Sequence, residues 1–238
     1  MGAWVVLVAC LTGQDPSATL EQRAIAVLQG DHPFAERAAL ADEIGAALSD
    51  GSDRESRGRL TLLYVRTMRA ALGAVPMDAR AREPYQAFLR RHQGESAYSE
   101  PAGQWMLTPD AIWTLHEANR GSASAEAIAW EAVDNGMPGE CEGYPPCELA
   151  TLDALDGEYL RRHPDGAHVV EVLRRIGDSS TELERLLSAP NGSELFNPVS
   201  DCGDLTPKAK ALDSALRAAK GDASDALAAL AQLRSRCP

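Results

Sequence analysis

The chain has 238 residues and a formal net charge of −12, with 23 Lys and Arg against 35 Asp and Glu. That balance excludes a broad nucleic-acid footprint, because phosphate binding needs a basic surface that displaces counterions. Aromatic residues are scarce, Ala and Leu are abundant, and β-branched residues rarely cluster beyond the N-terminus, so the composition favours helices in a chain long enough to bury a core.

The first feature is an apolar run from Ala3 to Leu11. It has the length of a signal-peptide apolar region and is far shorter than the roughly 20 residues a membrane-spanning helix needs. Its residues Leu7-Val8-Ala9-Cys10 resemble the lipobox of bacterial lipoproteins. The resemblance implies that Cys10 is diacylated and becomes the mature N-terminus, with Thr12–Ser17 as a polar tether. Three acyl chains would hold such a protein at a membrane. The alternative is a buried strand or helix with an ordinary core cysteine. Residues 1–18 are therefore set apart as a signal-like segment and tether, and 19–238 as one helical domain with a subdivision near 94–107 as an option.

Helix signals follow in succession. Thr19-Leu-Glu-Gln22 has capping-box form and Gly30 stops that helix. A second helix is predicted from Asp31, with Pro33 in its first turn and Leu40, Ile44, Ala47 and Leu48 on one face; Asp50-Gly51 ends it. Ser52-Asp-Arg-Glu55 is another capping box. It precedes Leu60, Leu63, Tyr64, Thr67, Met68, Ala71 and Leu72, a stripe at helical spacing closed by Gly73. Met77–His92 is helical but interrupted at Pro84. Gly94–Leu107 reads as a long irregular loop with exposed-looking aromatics.

Thr108-Pro109-Asp110 caps a helix through Asn119, and Ser122 or Ser124 caps another that ends at Asn135-Gly136. Two cysteines then sit in a Gly/Pro/Glu loop, Cys141 and Cys147, ahead of two amphipathic helices joined at His163-Pro164-Asp165-Gly166. The second has Val169, Val172, Leu173 and Ile176 as its inner face. Ser179–Glu182 caps a short helix to Leu187, and Ala189–Asp204 reads as a connection containing Cys202. Thr206-Pro207 caps a helix to Gly221, and a last helix from about Ser224 carries Leu227, Leu230 and Leu233 towards Cys237. The expected fold is all-α, an array of about ten short antiparallel helices.

Phe88-Leu-Arg-Arg-His92 is echoed by Tyr159-Leu-Arg-Arg-His163. In the second copy Tyr159-Leu160, His163-Pro164, Gly166 and Val169–Leu173 resemble the turn of tetratricopeptide-type repeats in bacterial envelope proteins. The resemblance implies an irregular array of paired helices whose concave surface takes a protein or peptide.

Five cysteines are an odd number. If Cys10 carries lipid, Cys141, Cys147, Cys202 and Cys237 remain for two disulfides, with three pairings open. Cys141–Cys147 with Cys202–Cys237 is favoured because only a short loop separates the first pair. Zinc held by Cys141, Cys147, His163 and His168 is the rival, although the cysteine spacing exceeds the usual one. Unpaired thiols are the third option.

No nucleophile elbow, phosphate loop, paired-His zinc helix or dinucleotide fingerprint occurs, and no cofactor is implied. His116-Glu117 lacks a second His at metalloprotease spacing, and Glu140 and Glu142 read as solvated turn residues. The arginine pairs 90–91, 161–162 and 174–175 read as helix-end charges. The expectation is an exported, lipid-anchored helical binding or scaffolding protein of a bacterial envelope, with a protein or peptide partner and membrane contact through the lipid alone. The alternative is a soluble intracellular helical domain with a ligand-binding or enzymatic role.

Overall fold

A computed structural model of the chain describes residues 16–48, 53–189 and 192–237. The apolar run, Cys10 and Ser52 lie outside the described residues. In chain order come α1 (Pro16–Gln29), α2 (Phe34–Ala47), α3 (Arg54–Gly73), a 3₁₀ turn (Met77–Ala79) and α4 (Tyr85–Arg91). A hairpin of β1 (Ser96–Ser99) and β2 (Gln104–Leu107) follows, then α5 (Pro109–Ala118), α6 (Ala125–Asp134) and α7 (Pro145–Leu152). A π-helical turn (Asp153–Gly157) joins α7 to α8 (Glu158–Arg162). The last elements are α9 (Val169–Ser188), α10 (Gly192–Leu195), α11 (Pro198–Ala218) and α12 (Ser224–Arg234). The fold is all-α apart from the hairpin.

Three of these helices begin where the sequence supplies an acceptor for the free N–H groups of the first turn. Asp53 accepts from Glu55 and Ser56 N–H, at 3.0 and 3.1 Å, and opens α3. Thr108 accepts from Ala111 N–H at 3.3 Å and opens α5. Asn197 accepts from Val199 N–H at 3.0 Å and opens α11, with Pro198 as the first helical residue. The cap of α3 thus sits one residue beyond the expected Ser52. Helix α1 starts upstream of the expected Thr19 cap, and α2 starts after Pro33 rather than at Asp31.

Four expectations are corrected. Residues 94–107 are not an irregular loop, for the antiparallel hairpin pairs Ser96 with Leu107 and Ser99 with Gln104. Its strands are four residues long each, too short to register as alternation. Ser179–Glu182 caps nothing, because α9 runs unbroken from Val169 to Ser188. Its buried stripe, Val172, Leu173, Ile176, Ser180, Leu183 and Leu187, keeps the helical period through the Gly-Asp-Ser-Ser-Thr segment. Thr181 meanwhile returns its hydroxyl to Gly177 O at 2.8 Å. Thr206-Pro207 is no helix start either; Pro207 lies inside α11, which already began at Pro198 and takes up the second half of the supposed 189–204 connection. Between Met77 and His92 only the 3₁₀ turn and the short α4 are helical.

One continuous apolar cluster runs from Leu20 in α1 to Leu233 in α12. Helix α3 packs against α1, α2, α6 and β2. The other half of the chain is organised by α9 against α12 and by α11 against α7, α8 and α12. At the α9–α12 contact Gly177 faces Ala226, where even a Cβ would sit at ordinary contact distance, 3.5 Å from the Ala226 backbone.

Disulfides join Cys141 to Cys147 and Cys202 to Cys237, with Cα separations of 5.4 and 5.5 Å. The first closes a tight turn in which Glu142 and Gly143 both have left-handed φ, +49° and +83°. The second ties Cys237, just beyond the end of α12, back to the first turns of α11. No helix among the described residues is long and apolar enough to cross a membrane.

Loop length orders the two bonds in stability. On the chain-entropy model, closing the 35-residue separation stabilises by about 4 kcal/mol and closing the six-residue one by about 2 kcal/mol. Urea unfolding should therefore show a larger loss for Cys202→Ser with Cys237→Ser than for Cys141→Ser with Cys147→Ser. An equal or inverted order would show that native packing, rather than loop closure, sets their contribution.

Candidate functional site

A cavity of about 840 Å³, within the range of ligand sites, lies where α1, α3, β2 and the end of α6 meet. Leu63, Arg66 and Ala70 of α3 lie one turn apart on the helix and form its floor. Ile25 and Leu28 of α1 form one wall, Gln104–Leu107 the opposite one, and Gly136 with Pro138 close the end. The 94–107 stretch and the loop that leads to Cys141 thus border the same cavity, at β2 and at Gly136 and Pro138.

Glu131 of α6 is its electrostatic centre. Its carboxylate is buried and accepts from Arg66 Nε at 2.6 Å, Arg69 Nη1 at 2.5 Å and Asn135 Nδ2 at 3.2 Å. The side chains of Arg66 and Arg69 are 45% and 32% exposed, so their unused N–H groups reach the cavity. Each guanidinium carries five donors and spends one on Glu131. Trp105 Nε1, in the opposite wall, is shut from solvent and has no hydrogen-bond partner among the described residues. The site therefore offers surplus guanidinium donors beside apolar side chains.

Sequence reading missed Arg66, Arg69 and Glu131 because two helices more than sixty positions apart bring them together. The only local trace was an arginine pair three apart beside the α3 stripe. The arginine pairs that did stand out are all neutralised. Arg90 meets Glu83, Arg91 meets Asp42, Arg161 meets Asp153 and Glu158, Arg162 meets Glu117 and Glu158, Arg174 meets Asp178, and Arg175 meets Asp156.

A second polar cluster surrounds the 163–168 turn. Arg162 Nη1 donates to His116 Nδ1 at 3.2 Å, and His116 Nε2 faces His163 Nε2 at 2.9 Å. Arginine only donates, so His116 carries its proton on Nε2 and gives it to His163, which is then protonated on Nδ1. His168 stacks on Trp130 at 3.9 Å. The Tyr159 hydroxyl donates to Glu126 at 2.7 Å and accepts from His168 N–H at 3.2 Å; Ala167 N–H also donates to Glu126. Burial pulls the Glu126 carboxyl up, but the Tyr159 and Ala167 donors outweigh it and hold it below the ordinary range.

The alternative metal set does not assemble. Cys141 and Cys147 are spent on each other, His163 pairs with His116, and His168 lies against an indole. Among the described residues no three His, Cys, Asp or Glu side chains converge as a metal site would require. Glu140 and Glu142 are exposed on the disulfide turn. Cys10, the expected lipid attachment point, lies outside the described residues.

The two echoed helix ends are alike in geometry and opposite in electrostatics. His92 and His163 each cap a helix, bonding N–H to the carbonyl of Phe88 and Tyr159 and resting on those rings, at 4.7 and 5.6 Å. Glu95 and Asp42 raise the His92 pKa. Burial, aided by Arg162, lowers that of His163.

No protein-family model matches the chain, and no curated protein or solved structure matches it.

Two outcomes follow from these arrangements. Burial first, then the neighbouring His163 and Arg162, push His116 down to about 4 from an ordinary 6.5. The folded state thus resists a proton that the unfolded chain accepts, so stability falls as pH drops from 6.5 towards 4 and levels off below. One such group corresponds to about 2–3 kcal/mol. His116→Gln should lose less stability than the parent between pH 7 and pH 4.5 in urea unfolding; equal losses would remove His116 as the cause. Separately, Glu131→Gln leaves two guanidiniums without their counter-ion and should lower stability by about 1–3 kcal/mol. A change within error would show that solvent replaces the bridge.

Proposed function

We propose that this protein is an exported binding module of a bacterial cell envelope, held at a membrane by lipid on Cys10, that recognises a protein or peptide partner. The observation that carries the binding reading is the cavity. It combines apolar side chains such as Ile25, Leu28 and Leu63 with surplus guanidinium donors, held by helices on a shared core. These are features of recognition, where apolar area gives affinity and a few placed polar groups give orientation.

Export is supported by the two disulfides, which persist in oxidising compartments and are rare where thiols are kept reduced. The lipobox-like Leu7-Val8-Ala9-Cys10 supports the anchor. The tetratricopeptide-like turn between Tyr159 and Leu173 supports kinship with helical-array scaffolds, in which paired helices present a concave face to a partner.

Expression in a bacterial host with radioactive palmitate should label the parent and leave Cys10→Ser unlabelled. An unlabelled parent would remove the anchor from the proposal. Intact mass without reductant should fall below the reduced mass by 4 hydrogens, two for each disulfide. A chain isolated with all those thiols free would remove the export argument.

A further inference from the structure

Arg66 and Arg69 meet the same carboxylate, Glu131, so both guanidiniums lie in one small region of the cavity. Two cations and one anion leave a single net positive charge there. Both Glu131 oxygens already accept from Arg66, Arg69 and Asn135. Each guanidinium keeps donors to spare and is open to water, with side chains 45% and 32% exposed. The group thus has room for an anion and little for a cation. Asp134 on the same lining is exposed, where solvent and salt weaken its repulsion. Planar guanidiniums fit a carboxylate through paired N–H groups.

Apolar surface adjoins this charge. Leu63 sits one helical turn from Arg66, which places their Cβ atoms about 5–6 Å apart. Ile25 and Leu28 of α1 line the same cavity, and Ile25 is a large apolar side chain left 46% exposed. A ligand that meets both features holds a carboxylate and an apolar group within one residue of each other.

Charge and chemistry narrow the choice of occupant. A fatty acid would lay methylenes against the side-chain amides of Gln29 and Gln104, which would lose water without gaining a partner. A segment rich in Glu and Asp is repelled by a chain of net charge −12. An apolar residue at the end of a peptide avoids both difficulties. It brings one negative charge, its side chain branches from the carbon that bears the carboxylate, and the peptide groups before it can bond to the glutamines.

We infer that the cavity binds the carboxyl terminus of a partner chain whose last residue is apolar. The terminal carboxylate pairs with Arg66 and Arg69, and the last side chain rests on Ile25, Leu28 and Leu63. The inference rests on the binding reading and deepens it by naming the group recognised.

The probe is a set of serine–glycine hexapeptides, each with fluorescein on its amino end and leucine, isoleucine, valine, methionine or phenylalanine as its last residue. Anisotropy with the oxidised protein should give a Kd of about 10–100 µM for at least one of them. Capping that peptide as its amide should weaken binding about tenfold, as should Arg66→Gln with Arg69→Gln. Exchanging its last residue for serine should also weaken it about tenfold, and Ile25→Ser in the protein about threefold. The peptide changes leave the protein untouched, so they remain decisive if the arginine variant folds poorly. An amide that binds as well as the acid would overturn the terminal carboxylate while leaving the cavity a peptide site. Decanoate binding more tightly than every peptide would overturn the inference in favour of a lipid. No binding by any peptide at about 1 mM would overturn both the inference and the peptide reading of the cavity. Palmitate labelling and intact mass read the anchor and export independently, so a failed terminus and a failed envelope assignment give different results.

Discussion

Helix α3 must satisfy α1, α2, α6 and β2 at once, and its 20 residues divide that work by position. Leu60, Tyr64, Met68 and Leu72 enter the core. Gly58 meets the turn before α6, where a Cβ would sit 2.5 Å from Ser122 Oγ. Arg66 and Arg69 leave the stripe on the flank facing α6 and meet the buried Glu131. The salt bridge is more than an attachment between two helices. A carboxylate at 5% exposure needs partners, and the partners it recruits are the residues that give the cavity its charge.

The second half of the molecule solves a similar difficulty with different chemistry. The π-helical turn between α7 and α8 widens the backbone and buries Leu155, Asp156 and Gly157. Carbonyls in that turn are taken up by side chains from elsewhere: Trp113 Nε1 donates to Ala154 O at 3.0 Å and Arg161 to Asp153 O at 2.9 Å. Burial pushes the Asp156 carboxyl up to about 6 even though Arg175 sits 2.9 Å away and opposes it. The irregular stretch is thereby fastened to α5 and α9 and not left to its own helical bonds.

Much of this architecture was legible in the residues. The stripe of α3, the cap at Thr108, the start of the last helix at Ser224 and the inner face Val169–Ile176 follow from period and chemistry, and the structure places them so. The hairpin was hidden because four residues are too few to display alternation. The start of α11 was hidden by Pro207, which reads as a helix opening, while the working signal was Asn197-Pro198 upstream. The cavity was not legible at all. Its lining comes from four elements, and the identity of Glu131 as a buried acceptor depends on residues 62 and 65 positions away. The echo of His92 in His163 was visible as letters; their opposed titration depends on Glu95 and Asp42 around the first and on burial of the second, and neither Asp42 nor that burial shows in a local pattern.

The bond between Cys202 and Cys237 makes most of α11 and all of α12 into a covalent ring. A protease that cuts one peptide bond within that ring opens it without releasing either piece, since the sulfur link still joins the two ends. Helix α12 would then stay on α9 with its seam of Gly177 and Ala226 intact. Nicked and whole molecules would have the same oxidised subunit size and separate only after reduction. The consequence is tolerance of single cuts: damage to the final helical pair does not become loss of the pair.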